Sequence, residues 1–213
     1  MGDYSRDTFG LTNVMHQVLS GEVVTDPRQY IGMRIQQGVP LLDADLNELD
    51  DIRRSEVKSL LQYYIGDGVP VNNQGFEITG SGATNDFTIN EGVILVEGML
   101  VFNPNVVAYS TKPVAELPTP GPNRVDLVYL DVWEEEVGAI GTNVTDSRIV
   151  NERIGIETAR RTVRRWVVRV EEGEDDINNI TVPEGQVFLP LAIIERVGGM
   201  AAIRDNMIID QRR

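Results

Sequence analysis

Asp43, Asp45 and Asn47 stand at alternate positions in the stretch QQGVPLLDADLNELDD. Oxygen ligands at alternate positions begin a calcium-binding loop, which also needs glycine at its sixth position and a bidentate glutamate at its twelfth. Counted from Asp43, the sixth position holds Glu48 and the twelfth holds Arg54. A cation therefore stands where the main ligand belongs, and the pattern does not favour a calcium site.

The same stretch fits the start of a helix better. Asp45 as the N-cap, followed three residues later by Glu48, has the spacing of a capping box. The apolar residues from there to Tyr64 fall mostly at steps of three and four, which is helical spacing. Gly66 follows as a stop signal. The sequence predicts one helix of about 20 residues, beginning near Asp43.

Composition excludes most catalytic chemistry. The 213 residues include no cysteine and one histidine, His16, which leaves no thiolate nucleophile, disulfide or multi-histidine metal site. No catalytic residue, cofactor or metal is therefore expected. The N-terminus MGDYSRDTFG lacks the basic and apolar pattern of a secretion signal, so we expect a protein that is cytoplasmic until it is assembled.

Charge bears on the partners. The net charge of −14 argues against nucleic acid or an anionic membrane as the main partner. Five arginines nevertheless cluster in one segment: Arg160, Arg161, Arg164, Arg165 and Arg169. On a strand these side chains divide between the two faces, so they form no continuous basic stripe. We expect them to pair with acidic residues of this chain or of a neighbouring subunit.

The rest of the chain predicts β-structure. After Gly68, segments such as GFEIT, DFTINEG and VILVEGMLVF are rich in Val, Ile and Phe and are separated by turn residues, with Glu97-Gly98 as a tight turn. RVDLVYLDVWEEE carries apolar residues on both faces, which indicates a central strand. Residues 138–160 are polar and predict a loop, with a short helix from about Ser147 to Arg153 as one option.

The predicted fold class is mainly β with one long helix (α+β). A β-rich attachment domain is preceded by an extended N-terminal arm and by the helix. The expected organisation is an arm over residues 1–40, the helix over 41–68, the β-rich domain over 69–197 and a C-terminal tail over 198–213.

Several segments, in order, carry a resemblance to a known family. They are GDYSRDTF, DPRQYIGMRIQQGVPLLDADLNEL, DFTINEGVILVEGMLV, RVDLVYLDVWEEE and LPLAIIERVGGMAAIRDNMIIDQRR. The chain resembles an uncharacterised phage-tail-like family associated with contractile injection systems and tailed phages, of the baseplate or tail-fibre adaptor type. The resemblance spans nearly the whole chain.

The resemblance implies a structural component of a contractile phage-tail-like particle. It would be a baseplate-associated adaptor or cage subunit that docks on baseplate, fibre or sheath-end proteins. It would be a homo-oligomer, with a trimer favoured, without nucleic acid or membrane insertion. The arm and the tail supply the candidate docking residues: Tyr4, Arg6, Phe9, Tyr30, Arg34, Ile208, Ile209, Arg212 and Arg213.

Three alternatives stay open at this point. One is a carbohydrate- or receptor-binding module, which needs an aromatic platform, although Trp133 and Trp166 lie in apolar strand patterns and are expected in the core. Another is a component of the cap or neck of the particle. The last is a hydrolase that uses paired carboxylates from the acidic runs at 134–136 and 171–176, although such runs are usually solvated.

Overall fold

The computed structural model describes residues 31–71, 73–111, 116–138, 149–151, 153–157 and 159–212. Within these residues, most of the regular structure is β-sheet, accompanied by one long helix, as the sequence predicts. The described residues divide into two compact units. Unit 1 contains residues 31–67 and Glu97–Met99, and unit 2 contains Gly68–Val96 and Leu100–Arg213 without its undescribed positions.

The predicted helix is confirmed, but its cap differs from the prediction. Helix α1 spans Asp43–Leu60 and continues as a π-helical turn over Leu61–Ile65 before Gly66 ends it with φ +79°. Leu42, not Asp45, is the N-cap. Asp45 is the third helical residue, and its Oδ2 accepts a hydrogen bond from the Leu42 N–H at 3.2 Å. A carboxylate reaching back from this position satisfies the free N–H of a cap residue that has no polar side chain.

The strands form four antiparallel arrangements among the described residues. A three-stranded sheet has the order β1-β2-β5, a four-stranded sheet has the order β11-β10-β6-β9, and β3-β4 and β7-β8 form two-stranded ribbons. The strands are β1 Ile78–Gly80, β2 Phe87–Ile89, β3 Gly92–Val96, β4 Met99–Asn103, β5 Val107–Ala108, β6 Arg124–Val137, β7 Val150–Asn151, β8 Ile156–Glu157, β9 Arg161–Glu172, β10 Gln186–Arg196 and β11 Ile208–Asp210. Short 3-10 turns cover Tyr109–Thr111, Ile177–Asn179 and Asp205–Met207.

Strand β6 is the central strand that the sequence predicts. It pairs with β9 on one side and β10 on the other, and its residues 126–132 are all buried. Strand β10 contains Pro190, which has no N–H to donate to a ladder. The proline is tolerated because the register with β6 shifts between Pro190 and Ala192, and because β11 pairs only from Ala192 onwards.

The predicted turn at Glu97-Gly98 and the optional helix near Val150 have different outcomes. Glu97-Gly98 forms the predicted tight turn between β3 and β4, with φ +43° and +74°, as a two-residue hairpin with both central residues left-handed requires. The optional helix around Ser147 to Arg153 is wrong where the structure describes it. Val150–Asn151 is instead a strand paired with Ile156–Glu157, because each short extended segment completes its hydrogen bonds with the other.

The C-terminal segment belongs to unit 2. The amide N–H of Gly80 donates to Asp205 Oδ1 at 2.8 Å, and a Cβ at Gly80 would lie 2.6 Å from the Ile203 carbonyl oxygen. Ile203 is fully buried, and Ile208 and its neighbours in β11 pair with β10. The chain after β10 therefore folds back onto the strands that precede it.

Both tryptophans are less buried than predicted. Trp133 and Trp166 are half-buried, and they are not among the fully buried residues of unit 2. Trp133 lies at the end of β6, where burial begins to alternate between faces. Trp166 packs edge-on against Phe76, with ring centroids 5.0 Å apart and planes at 76°. This geometry uses the Trp166 ring for packing within the fold.

Candidate docking surfaces

The arginine cluster pairs with acids of the same chain. The pairs join β9 to β6 across the ladder, either directly opposite or two residues away along the strand. They are Arg164 with Glu134 at 2.6 Å, Arg165 with Glu135 at 2.8 Å and Arg169 with Asp131 at 2.8 Å. The prediction that these arginines pair with acidic residues is confirmed for these three and for Arg160, whose Nη1 lies 3.6 Å from Glu136 Oε2. The hydrogen bond from Arg165 lowers the pKa of Glu135 below its ordinary value.

A second ionic group is buried in unit 2. The side chains of Arg196 and Asp126 have no exposed surface, and their Nη1 and Oδ2 atoms lie 3.4 Å apart. Arg124 Nε approaches the other oxygen of Asp126 at 2.8 Å. Arg196 also donates to Asn85 Oδ1 and to the Pro118 carbonyl. The group joins β6, β10 and two loops through ion pairs and hydrogen bonds. Its role is therefore structural, because it holds these elements together.

Sequence reasoning missed this buried pair. The available signal was Asp126 inside the otherwise apolar run RVDLVYL, because a charge in a buried strand requires a partner. Burial lowers the pKa of the Arg196 guanidinium, and the nearby Asp126 carboxylate opposes that shift. The arginine remains a cation, since its ordinary value is far above neutral pH.

The tail residues proposed for docking have different positions. Arg212 donates from Nη1 to the Gly75 carbonyl at 2.7 Å and pairs with Asp210 at 2.7 Å. The hydrogen bonds that Arg212 donates to Asp210 lower the pKa of that carboxyl below its ordinary value. Ile208 is half-buried in β11, while Ile209 is 45% exposed. Of the described tail candidates, Ile209 has the most surface left for a partner, and docking through it stays a prediction.

The arm candidates are only partly within the described residues. Tyr4, Arg6, Phe9 and Tyr30 of the arm lie outside them, as does Arg213 of the tail. Arg34 is exposed and lines a shallow depression in unit 1. Its other lining residues are Met33, Ile35, Gln36, Val39, Pro40 and Asp45.

Unit 1 exposes large apolar side chains in the segment before α1 and near both ends of the helix. The segment before α1 contributes five of them, each at least 47% exposed: Ile31, Ile35, Val39, Leu41 and Leu42. The helix contributes a row that we call the α1 stripe, made of Leu46, Val57, Leu60 and Tyr64, which are 49% to 80% exposed. The sequence pattern predicts this helical row, but periodicity alone does not tell which way it faces.

The structure also bears on metal and membrane chemistry. No cluster of three or more His, Cys, Asp or Glu side chains able to hold a metal ion occurs among the described residues. In that same part of the chain, no helix is both long and apolar enough to cross a membrane.

Comparisons with known proteins give distant likenesses of fold. No protein-family model and no curated protein sequence matches the chain. A solved structure titled "Crystal structure of TssK" is similar with a TM-score of 0.41 and 9% identity over 81% of this chain and 40% of that one. Another, "The baseplate complex from the type VI secretion system", has a TM-score of 0.38 and 12% identity over 86% of this chain and 60% of the other. The chain thus spans less than two thirds of either structure's chain.

Proposed function

We propose that this protein is a structural, non-enzymatic component of a contractile phage-tail-like particle. It is a baseplate-associated adaptor or cage subunit that docks on other particle proteins. The resemblance to the phage-tail-like family motivates this proposal. The quoted segments of that resemblance include Asp126 and Asp131 in β6 and Arg196 and Arg212 near the C-terminus, which form ion pairs of unit 2. The resembling segments thus supply contacts within the fold.

One observation carries the proposal furthest: the exposed apolar side chains of unit 1, which extend from Ile31 to Ile65. Monomeric soluble proteins rarely expose contiguous apolar patches beyond a few hundred square ångströms, and larger ones mark interaction sites. In an assembled particle, neighbouring subunits would bury such a surface and remove it from water. Homo-oligomerisation, with the trimer that the resemblance implies, and docking on particle neighbours both use it.

The alternative of a glycan-binding module has less support. Such a module needs an exposed aromatic platform, and neither tryptophan supplies one, because both are half-buried and Trp166 packs on Phe76. Binding at the cap or neck of the particle uses the same surface chemistry as binding at the baseplate, and the position of the protein on the particle distinguishes the two.

The protein composition of purified particles tests the proposal. Sheath-containing particles are purified from cells that carry the gene, and their proteins are identified by mass spectrometry. The expected result is this protein at a constant ratio to sheath through successive purification steps. Its loss from clean particles that retain sheath would contradict the proposal.

The arm is tested on the same particles. A chain lacking residues 1–30 is expected to remain folded, by circular dichroism, and to be missing from particles. As a milder change in the full chain, alanine at Tyr4, Phe9 and Tyr30 should reduce incorporation. Normal incorporation of the truncated chain would remove the arm from the docking mechanism, while the rest of the proposal would stand.

A further inference from the structure

The exposed face of α1 has the spacing of a coiled-coil seam. Together with Asp50 and Arg53, the α1 stripe occupies six positions separated in turn by four, three, four, three and four residues. Alternating steps of three and four place side chains in one row, which is the seam that paired helices bury between them. All six residues are exposed. The row therefore extends over most of a helix of 18 residues and into the π-helical turn that follows.

The seam is separate from the buried part of the helix. Ile52 is the buried residue of α1, with 1% of its surface exposed. At about 100° per residue, Ile52 lies about 100° around the helix from Arg53, which is in the middle of the seam. The side chain that α1 buries is thus on a different face, and the seam remains available.

The two polar seam positions identify the occupant. Asp50 and Arg53 are neighbours in the seam and have opposite charges. A seam of one sign would repel a second copy of itself, whereas two antiparallel copies of this helix place each Asp50 opposite an Arg53 of the other copy. Polar residues within a seam cost stability but specify the register and the partner. The surface is therefore complementary to itself in both its apolar and its charged parts.

We propose that the α1 stripe, with Asp50 and Arg53, is the surface through which this chain binds a second copy of itself. The inference rests on the self-association included in the proposed function and adds the surface that performs it. The two are separable, because membership of the particle is measured on particles and the α1 contact is measured on the purified chain.

The first test is the mass of the full chain in solution. Light scattering during size-exclusion chromatography is run on wild type and on the double variant Val57→Glu/Leu60→Glu. Wild type is expected at two or more times the 23.7 kDa of one chain. The double variant is expected at the mass of one chain, or with a dissociation constant at least about tenfold higher than that of wild type. Val71→Glu is the matched control, because Val71 is 91% exposed but lies outside the helix. It should associate as wild type does.

Two results of this test would overturn the proposal. One is a wild-type protein that is monomeric at about 100 μM, a concentration that would populate even a weak contact. The other is a double variant, folded by circular dichroism, that keeps the wild-type mass. In the second case self-association would remain but would use another surface, and membership of the particle would be unaffected.

A charge exchange tests the partner more specifically. Asp50→Arg and Arg53→Asp alone each give the seam one sign and should weaken association at least about tenfold. The double variant Asp50→Arg/Arg53→Asp restores both signs and should return association to near the wild-type value. A double variant as weak as the singles would contradict pairing between these residues of two copies.

The remaining occupant to distinguish is another segment of the same chain. Since the chain has no cysteine, Leu60→Cys carries one thiol, and maleimide labelling reports whether the seam is covered. Protection that is lost on dilution supports a second copy. Protection that is independent of concentration in a monomeric protein would mean that the chain covers its own seam, which overturns the proposal. Val71→Cys, which should label at all concentrations, is the control.

Discussion

The two units of this protein differ in the kinds of side chains that they bury and expose. In unit 1, large apolar side chains such as Leu60 and Tyr64 are more than half exposed. In unit 2, the charged side chains of Asp126 and Arg196 are completely buried, and apolar residues fill the interior around them. Unit 2 thus pairs its buried charges internally and exposes large apolar side chains only here and there along its many residues, such as Val71 and Phe102. The much shorter unit 1 exposes a larger share of its apolar side chains to water. Under the proposed function, unit 2 is the scaffold and unit 1 is the part that binds a partner.

The largest effect is expected from breaking the buried pair. Asp126→Ala leaves Arg196 and Arg124 without their shared carboxylate, and loss of one partner of a buried pair costs about 3–5 kcal/mol. The free energy of unfolding, measured by urea denaturation, should fall by that amount.

A matched double change sharpens this prediction. Replacing both partners with apolar residues, as in Asp126→Leu/Arg196→Met, removes the uncompensated charge and should recover part of the loss. A loss below about 1 kcal/mol for Asp126→Ala would mean that the buried ion pair does not hold β6 and β10 together as described above.

A smaller loss is expected at the C-terminus. Arg212→Ala removes the hydrogen bonds to the Gly75 carbonyl and to Asp210, and a hydrogen bond of a charged group contributes about 1.5–3 kcal/mol. Amide hydrogen exchange in β11 should quicken while β6 stays protected. Arg204→Ala is the control, because Arg204 is an exposed arginine of the same segment. Unchanged exchange in β11 would show that Arg212 does not hold the tail.

The pairing of Asp210 with Arg212 also predicts a modest dependence on pH. The folded-state pKa of Asp210 lies below its ordinary value of 3.8, so the folded protein binds fewer protons than the unfolded one near that pH. The stabilisation is fully present above the unfolded pKa and is lost as pH falls through the folded pKa. Asp210→Asn should therefore reduce the loss of stability between about pH 5 and pH 2. Identical acid profiles of the two proteins would contradict the shift.

The smallest effect on folding is expected in unit 1. Val57→Glu changes an exposed side chain, and surface substitutions usually stay within about 0.5 kcal/mol. Its thermal unfolding should match that of Val71→Glu at low protein concentration. A loss above about 2 kcal/mol would show that Val57 is part of a core, and the contrast between the units would fail.

Sequence patterns predicted much of the fold. The helical spacing after Asp43, the two-faced apolar strand around Leu127 and the Glu97-Gly98 turn are local signals, and each is confirmed. The N-cap prediction was wrong because the helix begins earlier, with the apolar Leu42 as its cap, and Asp45 lies at the third helical position, from which its carboxylate accepts from the Leu42 N–H. The sequence could not predict whether the α1 stripe is buried or exposed, since that depends on which parts of the helix the rest of the chain covers.

The candidate site was less predictable for the same physical reason. Pairing of Arg164, Arg165 and Arg169 with acids followed from composition and is confirmed. The Asp126–Arg196 pair is separated by 70 residues, so only the register of the sheet brings it together. Docking through Ile209 or Arg34 remains a prediction, because it depends on partners.

The most direct measurement is the position of this protein on intact particles. Particles are labelled with antibody against the folded chain and viewed by electron microscopy. The account predicts label at one end of each particle, at the baseplate. Label at the opposite end would move the protein to the cap or neck, and particles with intact sheath but no label at either end, despite antibody that binds the purified protein, would contradict the central claim.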